Sequence, residues 1–513
     1  MKKLPIGIQS FKSIREENYY YVDKTPFVKE LLERGKYYFL SRPRRFGKSL
    51  FLDTLKEAFV GSRELFKGLY LYNNWNWDKK YPAIKLDLSL ALSDGIDKLE
   101  YSLNSSLHDI GKDNSIELEK EYSNLRFEEL IKKLSEKYGE RVVVLIDEYD
   151  KPILDRIEEI EIAKQNREVL KKFFEVLKTL DPYLKLVFIT GVSRFSKVSI
   201  FSGLNQLNDI TIDERFSTIC GYTQEELEEV FSDRLQDVDK EEVKRWYNGY
   251  SWLGGKVYNP FDILLFLDKK SFRSYWFETG TPTFLIRLFQ KNAYYMPQLD
   301  EFTVGEELLS NIDIDYIFPE NLLFQSGYLT IKEMVRAGSK NVYVLTYPNL
   351  EVRMSLNDAF VTYLTPSPVV KDRTEIQLIT ALQNGKVDTI KDILFSFFAS
   401  IPVDWYRKNR IQEYEGYYAS VIYALLNGSG LQTITEDATN VGRIDLTVIY
   451  GGRVYILEFK VVDKDGEGGG LKQIKERKYY EKYQGMYEEI YVIGIEFSKE
   501  KRNIVNFEWE KLA

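Results

Sequence analysis

The chain has 513 residues, more than one hydrophobic core usually supports, so two or three domains are expected and we predict three. Hydrophobic residues make up 44% and aromatic residues 15% of the sequence, which excludes extensive disorder. The formal net charge of -8 excludes a protein that coats nucleic acid non-specifically, because that mode needs many cations to neutralise phosphates. Any contact with nucleic acid is expected to be local.

Cysteine and histidine each occur once, as Cys220 and His108. One cysteine excludes an intramolecular disulfide and cysteine-rich zinc sites, and it fits a reducing cytoplasm. One histidine excludes histidine metal clusters within a subunit. The sequence has no apolar run of signal-peptide or membrane-helix length. We therefore expect a cytoplasmic protein without a membrane partner, and a homo-oligomer is considered.

Four short apolar runs, at residues 37–40, 83–88, 142–146 and 186–189, are separated by helical patterns. Strands that alternate with helices predict parallel βαβ units. The sequence thus predicts an α/β domain over residues 1–222, with a parallel sheet flanked by helices.

The first run leads into Ser41-Arg42-Pro43-Arg44-Arg45-Phe46-Gly47-Lys48-Ser49 and then an apolar helix over residues 50–59. Strand, loop and helix in this order are what a phosphate-binding P-loop requires. In such a loop, Lys48 reaches the β and γ oxygens of ATP and the Ser49 hydroxyl ligates Mg²⁺. Arg42 replaces the first glycine of the general motif, so a basic helix-capping loop is an equal alternative on this motif alone. The residues expected to contact the nucleotide are Arg44, Arg45, Phe46, Gly47, Lys48, Ser49 and Leu50.

The third run ends in the adjacent carboxylates Asp147 and Glu148, as in a Walker B motif. Asp147 is expected to bind Mg²⁺, and Glu148 to orient or deprotonate the attacking water. Ligands of open α/β sheets bind at the carboxyl ends of strands, so a merely solvated acidic turn is disfavoured. At the end of the fourth run, Thr190 is a candidate γ-phosphate sensor and Arg194 a candidate phosphate contact. Both are equally compatible with ordinary strand-end residues.

Segments 21–25 (YVDKT), 39–50 (FLSRPRRFGKSL) and 190–197 (TGVSRFSK) resemble the bacterial AAA-ATPase-like family, as do residues 246–250, 258–260 and 279–282. The resemblance covers most of the chain. In that family the Arg-Pro-Arg-Arg-Phe-Gly-Lys-Ser loop is the usual pattern, so Arg42 does not depart from it. The resemblance implies ATP binding and leaves the rate of hydrolysis open.

Residues 223–370 have a mainly helical pattern, with an amphipathic stretch at 225–234, and predict a lid and connecting domain. After Thr365-Pro366-Ser367-Pro368 the pattern returns to helix, hairpin and helix, which predicts an α/β domain over residues 371–513. The glycine-rich acidic segment 463–470 is predicted to be a mobile connector.

Two β-rich runs joined by Gly451-Gly452 predict a tight hairpin in this third domain. A two-residue loop places Asp445 directly opposite Glu458, with Cβ atoms about 5 Å apart, and strand alternation puts Lys460 on the face of Glu458. These groups suit phosphodiester hydrolysis, with the carboxylates on Mg²⁺ and Lys460 positioning water or stabilising the transition state. A surface pair of acids is the alternative, disfavoured because opposed like charges destabilise a hairpin.

This arrangement resembles the PD-(D/E)XK nuclease core, with Asp445 as the lone acid and Glu458-Phe459-Lys460 as the E-x-K; Ile444 replaces the proline of the name. The resemblance implies a restriction-endonuclease-like fold. It also implies that Glu415 joins the site from the first helix and that the helix of Gln473 lines the substrate side. Cations at 472, 475, 477 and 478 could meet a phosphate backbone, although a solvated helix face is the commoner explanation.

Together these features predict an ATP-binding, ATP-hydrolysing protein whose nucleotide state regulates Mg²⁺-dependent cleavage of DNA or RNA. An alternative is a nucleotide-dependent switch or scaffold whose nuclease-like domain binds without cleaving, and a third is an ATPase with no nucleic-acid role. The predicted catalytic residues are Asp445, Glu458, Lys460, Glu415 and Glu148, and the predicted metal ligands are Ser49, Asp147, Asp445 and Glu458.

Overall fold

A computed structural model describes residues 1–195, 200–201, 203–277, 285, 289, 294–310, 312, 314, 317–365, 367–402, 415–463 and 469–512. The chain forms two compact units. The first comprises Met1–Trp276 and Thr303–Asn349, and the second comprises Phe277–Phe302 and Leu350–Ala513. The segment predicted as a middle domain, residues 223–370, is divided between them, and its independence as a domain stays a prediction.

The first unit contains the predicted parallel sheet, with strand order β2-β3-β4-β1-β5. β1 and β3 are buried along their whole length, as expected of parallel strands covered by helices on both faces. The strands are β1 (Tyr37–Ser41), β2 (Ala83–Asp87), β3 (Val142–Asp147), β4 (Leu184–Gly191) and β5 (Asn208–Asp209).

Helices of the first unit flank this sheet and continue beyond it. On one side, Phe127 stacks on Phe173 with ring centroids 4.6 Å apart, which joins two of the long helices. The helices are α1 (Phe11–Glu16), α2 (Thr25–Arg34), α3 (Lys48–Val60), α4 (Tyr70–Asn73), α5 (Ile96–Asp113), α6 (Ser123–Tyr138), α7 (Lys151–Leu154), α8 (Ile160–Thr179), α9 (Gln224–Val230), α10 (Lys240–Tyr247), α11 (Pro260–Lys269), α12 (Glu306–Ser310) and α13 (Pro319–Ser326).

The region predicted to be mainly helical contains these later helices and also a three-stranded sheet. Its strands are β6 (Phe302–Gly305), β7 (Thr330–Ala337) and β8 (Lys340–Thr346), in the order β6-β8-β7. β7 and β8 form an antiparallel hairpin that the sequence did not predict. β7 is exposed over its last six residues, so it lacks the alternation of apolar side chains that marks a half-buried strand.

The second unit is built on a mixed sheet with strand order β13-β12-β11-β10-β9. β11 and β12 are parallel, and the other neighbouring pairs are antiparallel. Its strands are β9 (Gln432–Ala438), β10 (Arg443–Tyr450), β11 (Arg453–Val462), β12 (Glu489–Ser498) and β13 (Asn503–Lys511), and its helices are α14 (Leu350–Leu364), α15 (Pro368–Gln383), α16 (Val387–Ser400), α17 (Glu415–Gly428) and α18 (Gly469–Arg477).

The predicted hairpin of β10 and β11 is confirmed, with Tyr450 facing Arg453 and Leu446 facing Leu457. Of the predicted connector 463–470, residues 464–468 lie outside the described part of the chain, and α18 begins at Gly469. Among the described helices, none combines the length and apolarity needed to cross a membrane.

Two glycines, Gly470 of α18 and Gly494 of β12, let α18 pack directly on β12. Gly494, which is in register with Glu458 of β11, has no room for a side chain. A Cβ atom there would lie 2.2 Å from the Leu471 amide nitrogen and 2.9 Å from the Gly470 carbonyl carbon. The first turn of α18 is therefore held against the sheet beside Glu458.

We expect Gly494→Ala to lower the free energy of unfolding of the second unit by about 1–3 kcal/mol, the usual cost of overpacking. Urea unfolding followed by circular dichroism measures the change. Gly469→Ala is the matched control, because its Cβ would lie 3.6 Å from Glu496 Oε1, an ordinary contact. Equal stability of the two variants would contradict close packing of α18 on β12.

Candidate functional site

The loop between β1 and α3 turns tightly and leads directly into a helix. Arg45 and Gly47 both adopt left-handed backbone conformations, with φ of 69° and 91°, and α3 begins at Lys48. Arg44 and Arg45 are exposed, Phe46 is buried, and Ser49 and Leu50 are half-buried in the first turn of the helix. The residues predicted to contact a nucleotide thus lie together, in the loop and in the first turn of α3 that follows it.

The Lys48 side chain lies buried beneath this loop. Its Nζ donates to the carbonyl oxygens of Arg42 at 2.9 Å and Pro43 at 3.0 Å. Burial lowers the pKa of Lys48, while the carboxylates of Asp147 and Glu148 oppose that shift. The lysine and the two acids predicted from separate motifs therefore come together in one electrostatic environment.

Asp147 is tied to the neighbouring strand. Its Oδ1 accepts a hydrogen bond from the Thr190 hydroxyl at 2.7 Å and one from the Glu148 amide at 3.1 Å. Thr190 therefore contacts the acid at the end of β3. Glu148 has a left-handed backbone, with φ of 50°, and burial raises the pKa of its carboxyl while Lys48 opposes the shift.

Asp150 is a residue of this region that the sequence interpretation missed. It is buried and accepts hydrogen bonds from the backbone amides of Val192 at 3.0 Å and Ser193 at 2.5 Å. Burial raises the pKa of Asp150 to about 6. Asp150 fixes the loop that follows β4, next to Thr190. A third acid two residues after Glu148 was the available signal.

Arg194 is placed differently from the phosphate contact considered above. Its guanidinium forms an ion pair with Asp209 at 2.6 Å, and both side chains are largely buried. This supports the alternative of a structural residue at the end of the strand.

Arg42, which stands where the general motif has a glycine, has a structural role that the sequence interpretation also missed. Its side chain is 1% exposed and donates to the carbonyls of Ser41 at 2.9 Å, Thr211 at 2.8 Å and Phe216 at 3.1 Å. The guanidinium carbon lies 4.0 Å from the centre of the Trp252 ring, a cation–π contact. Burial lowers the pKa of Arg42 to about 10. Arg42 thus anchors the start of the loop.

In the second unit, Asp445 and Glu458 meet as the hairpin register requires. Asp445 Oδ2 accepts a hydrogen bond from the Phe459 amide at 2.8 Å, so this carboxylate leans toward β11. Glu458 is 0% exposed, and neither of its carboxylate oxygens makes a hydrogen bond of normal geometry. Burial, and then the adjacent Asp445, raise the pKa of Glu458 to about 9.

Lys460 and Glu415 join this pair. Lys460 Nζ lies 4.0 Å from Glu415 Oε1, at the start of α17. Burial raises the pKa of Glu415, Lys460 opposes the shift, and Asp445 adds to it. Gln473 of α18 lies beside Glu458, where its side chain opposes the rise in the pKa of that carboxyl. All the side chains predicted for the nuclease site therefore converge.

Glu496 supports the site without having been predicted. This buried acid is in register with Lys460, and it accepts hydrogen bonds from the Gly469 amide at 2.6 Å and the Asn506 side chain at 3.3 Å. It therefore holds the first turn of α18, which carries Gln473. The one acid inside the otherwise apolar run from Ile490 to Phe497 was the signal that could have identified it.

The cations on and after α18 all have partners within the chain. Lys472 pairs with Glu476 at 3.8 Å, Lys478 pairs with Glu481 at 3.7 Å, and Lys475 pairs with Glu510. The Arg477 guanidinium donates to the Val441 carbonyl at 2.9 Å. These contacts favour the solvated helix face over a dedicated phosphate surface.

The donor set at Asp445 and Glu458 fits a divalent cation. Two unpaired oxygens of a buried carboxylate lie beside a second carboxylate, and Mg²⁺ is commonly held by one or two carboxylates while it keeps several waters. Within the part of the chain that the structure describes, no group of three or more His, Cys, Asp or Glu side chains is arranged to hold a metal. A cation at this site would therefore be coordinated by two acidic side chains, Asp445 and Glu458.

We expect Arg42→Ala to lower the free energy of unfolding of the first unit by about 2 kcal/mol or more, because three buried carbonyls would lose their donor. Urea unfolding monitored by tryptophan fluorescence measures this. The control is Arg44→Ala on the same loop, whose side chain is exposed and whose loss is expected to change stability by less than about 0.5 kcal/mol. A stable Arg42→Ala protein would contradict the anchoring role.

Comparison with known proteins agrees with the family resemblance of the N-terminal part of the chain and with that of the C-terminal part. A family profile described as "Predicted AAA-ATPase" matches residues 5–201, and one described as "PD-(D/E)XK nuclease superfamily" matches residues 413–507. The chain is also 46% identical over 513 residues to a protein of Azotobacter chroococcum mcd 1 named "Uncharacterized protein in vnfD 5'region". That alignment covers 100% of this chain and 99% of the relative. The chain therefore belongs to the AAA-ATPase-like family and carries a PD-(D/E)XK nuclease superfamily domain in its C-terminal part.

Proposed function

We propose that this protein binds and hydrolyses ATP at the Lys48 loop and cleaves nucleic acid at the Asp445–Glu458 pair, with the nucleotide state regulating cleavage. Support for the ATPase half comes from the position of Lys48 beside Asp147 and Glu148. Support for the nuclease half comes from the convergence of Glu415, Asp445, Glu458 and Lys460. Regulation is inferred from the presence of both sites in one chain.

The charge of Lys48 supports an anionic ligand at the loop. The two acceptors of its Nζ are neutral carbonyls, and an ammonium has three N–H donors, so one donor is left for a ligand. The helix start at Lys48 adds backbone amides and the positive end of the α3 dipole. Asp147 and Ser49 are the proposed ligands of Mg²⁺, and Glu148 is the proposed group that orients the attacking water.

The unpaired carboxylate of Glu458 is the single observation that carries the nuclease proposal. Ionisation of a buried carboxyl is costly, so an acid with two unsatisfied oxygens next to another acid needs a cation to carry its negative charge. When bound by Asp445 and Glu458, Mg²⁺ would lower the pKa of a water and neutralise charge on the phosphate. Lys460 is the proposed group that stabilises the developing charge, and Glu415 holds the ammonium in place at 4.0 Å.

We expect Lys48→Ala to weaken ATP binding at least about tenfold, because a charged hydrogen bond contributes about 1.5–3 kcal/mol. Isothermal titration calorimetry with Mg²⁺ measures the affinity. Lys56→Ala is the matched control, since Lys56 lies two turns later on α3 and pairs with Glu57 at 3.7 Å. Unchanged ATP affinity in Lys48→Ala would exclude the loop as the nucleotide site.

The proposed regulation can be tested with the same variant, Lys48→Ala, by measuring the effect of ATP on the rate of cleavage. If the nucleotide state controls cleavage, ATP changes the cleavage rate of the wild-type protein but not that of Lys48→Ala. An equal effect of ATP on both proteins would reject the proposed control.

We expect Asp445→Asn and Lys460→Ala each to reduce Mg²⁺-dependent cleavage of DNA or RNA at least about 100-fold, the usual effect of removing a transition-state contact. Cleavage of labelled single- and double-stranded substrates measures the rate. Asp463→Asn is the control, because this exposed acid just after β11 pairs with Lys499. Tight binding of substrate by a wild-type protein that does not cleave it would instead favour the scaffold alternative.

A further inference from the structure

The β7–β8 hairpin of the first unit is a two-stranded ribbon with both faces exposed. Residues 332–341 are all exposed, and they span most of β7, the turn and the start of β8. Pairing continues to the tip, where Ala337 faces Lys340 across Gly338-Ser339. Gly338 has φ of 64°, the left-handed conformation that tight hairpin turns require. The end of the ribbon is therefore ordered and accessible to a partner.

The tip of this ribbon is basic although the chain as a whole is acidic. Residues 336–341 (RAGSKN) contain two cations, Arg336 and Lys340, and no acid, whereas the net charge of the chain is -8. Neither cation forms an ion pair with a residue that the structure describes. The tip thus presents positive charge that the described part of the chain does not neutralise.

The two cations lie on opposite faces of the ribbon. Arg336 pairs with Asn341, and Ala337 pairs with Lys340. Directly opposed residues share a face and successive residues alternate, so Arg336 belongs to one face and Lys340 to the other. A polyanion whose charged backbones pass on both sides of the ribbon would therefore meet one cation on each side.

The dimensions of the ribbon fit one groove of double-stranded DNA. The major groove is about 12 Å wide and about 8.5 Å deep and admits a two-stranded ribbon, whereas the minor groove is only about 6 Å wide. The segment from Glu333 to Ala337 extends about 17 Å, at about 3.4 Å per residue, so the tip can reach the floor of the major groove. In double-stranded RNA the major groove is too narrow for side chains to enter.

A second copy of the chain is the competing partner, because β7 is an edge strand of its sheet. However, Lys332, Glu333 and Arg336 place charges along that edge, and charged edges disfavour pairing between sheets. The exposed apolar side chains, Met334 and Val335, are consecutive and so lie on opposite faces, where they form no common apolar patch. The ribbon therefore fits a polyanion better than it fits a second copy.

We propose that the tip of the β7–β8 ribbon enters the major groove of double-stranded DNA, with Arg336 and Lys340 on the two phosphate backbones. The inference rests on the proposed function, in which nucleic acid is the substrate, and it names duplex DNA as that substrate. Because the cations contact phosphates, they add affinity and not a preference for base sequence.

The test measures binding of the full-length chain to a fluorescein-labelled DNA duplex by fluorescence anisotropy, with Ca²⁺ in place of Mg²⁺ so that binding is followed without cleavage. We expect the hairpin variant, Arg336→Ala/Lys340→Ala, to bind at least about fivefold more weakly, because two phosphate contacts are lost. The slope of log Kd against log salt concentration is expected to fall by about two.

Two further variants separate the position of the charges from their number. Lys172→Ala/Lys178→Ala is the matched control, since it removes the same charge from two exposed residues of α8 and is expected to leave the affinity unchanged. Arg336→Lys/Lys340→Arg keeps both charges at the tip and is expected to keep the affinity. For duplex RNA of the same sequence, the affinity of the hairpin variant is expected to stay within about twofold of the wild-type value.

Equal DNA affinities of the hairpin variant and the control would overturn the proposed contact. If that equality came with a change from dimer to monomer in light scattering, the ribbon would instead form an interface between copies of the chain. An equal loss of affinity for duplex RNA would overturn the assignment to the major groove of DNA. None of these results bears on the nuclease site, which is tested by cleavage, whereas a wild-type protein that neither binds nor cleaves nucleic acid would overturn both proposals.

Discussion

The parallel pairing of β1, β4 and β3 is the constraint on which the proposed nucleotide site depends. Parallel strands end at the same edge of a sheet, and β4 lies between the other two. The loop that follows β1 is therefore placed beside the acids that follow β3, with Thr190 of β4 hydrogen-bonded to Asp147. In the second unit, the register of β10 and β11 pairs Leu446 with Leu457. The next residues, Asp445 and Glu458, are thereby brought together, and their side chains interact.

Buried ionisable groups fall into two sets, one with structural roles and one with proposed functional roles. Arg42 and Asp150 are matched by backbone groups, with carbonyls around the guanidinium and amides around the carboxylate. Glu458 has no such partner, and Lys48 bonds only neutral carbonyls. Arg42 and Asp150 bond backbone groups of several segments and so hold loops in place, whereas Glu458 and the third donor of Lys48 are left for the proposed ligands.

Much of the candidate sites could be predicted because the chemistry is local in the sequence. Gly47, Lys48 and Ser49 are adjacent, Asp147 and Glu148 are adjacent, and a two-residue turn fixes the hairpin by counting. Side-chain alternation with a period of two then decides which residues share a face. The same locality explains why the β7–β8 hairpin was missed, since its exposed strand has no apolar alternation to detect.

The sequence by itself determined the first four strands of the parallel sheet, the two acidic motifs and the hairpin register, because each depends on neighbours along the chain. Only the tertiary structure showed which segments that are distant in the sequence contact and stabilise one another. Arg42 meets Trp252 through space, Glu496 caps a helix that begins 27 residues before it, and Gly494 matters because a helix lies against it. Such contacts depend on packing between elements, for which a single sequence carries no periodic signal.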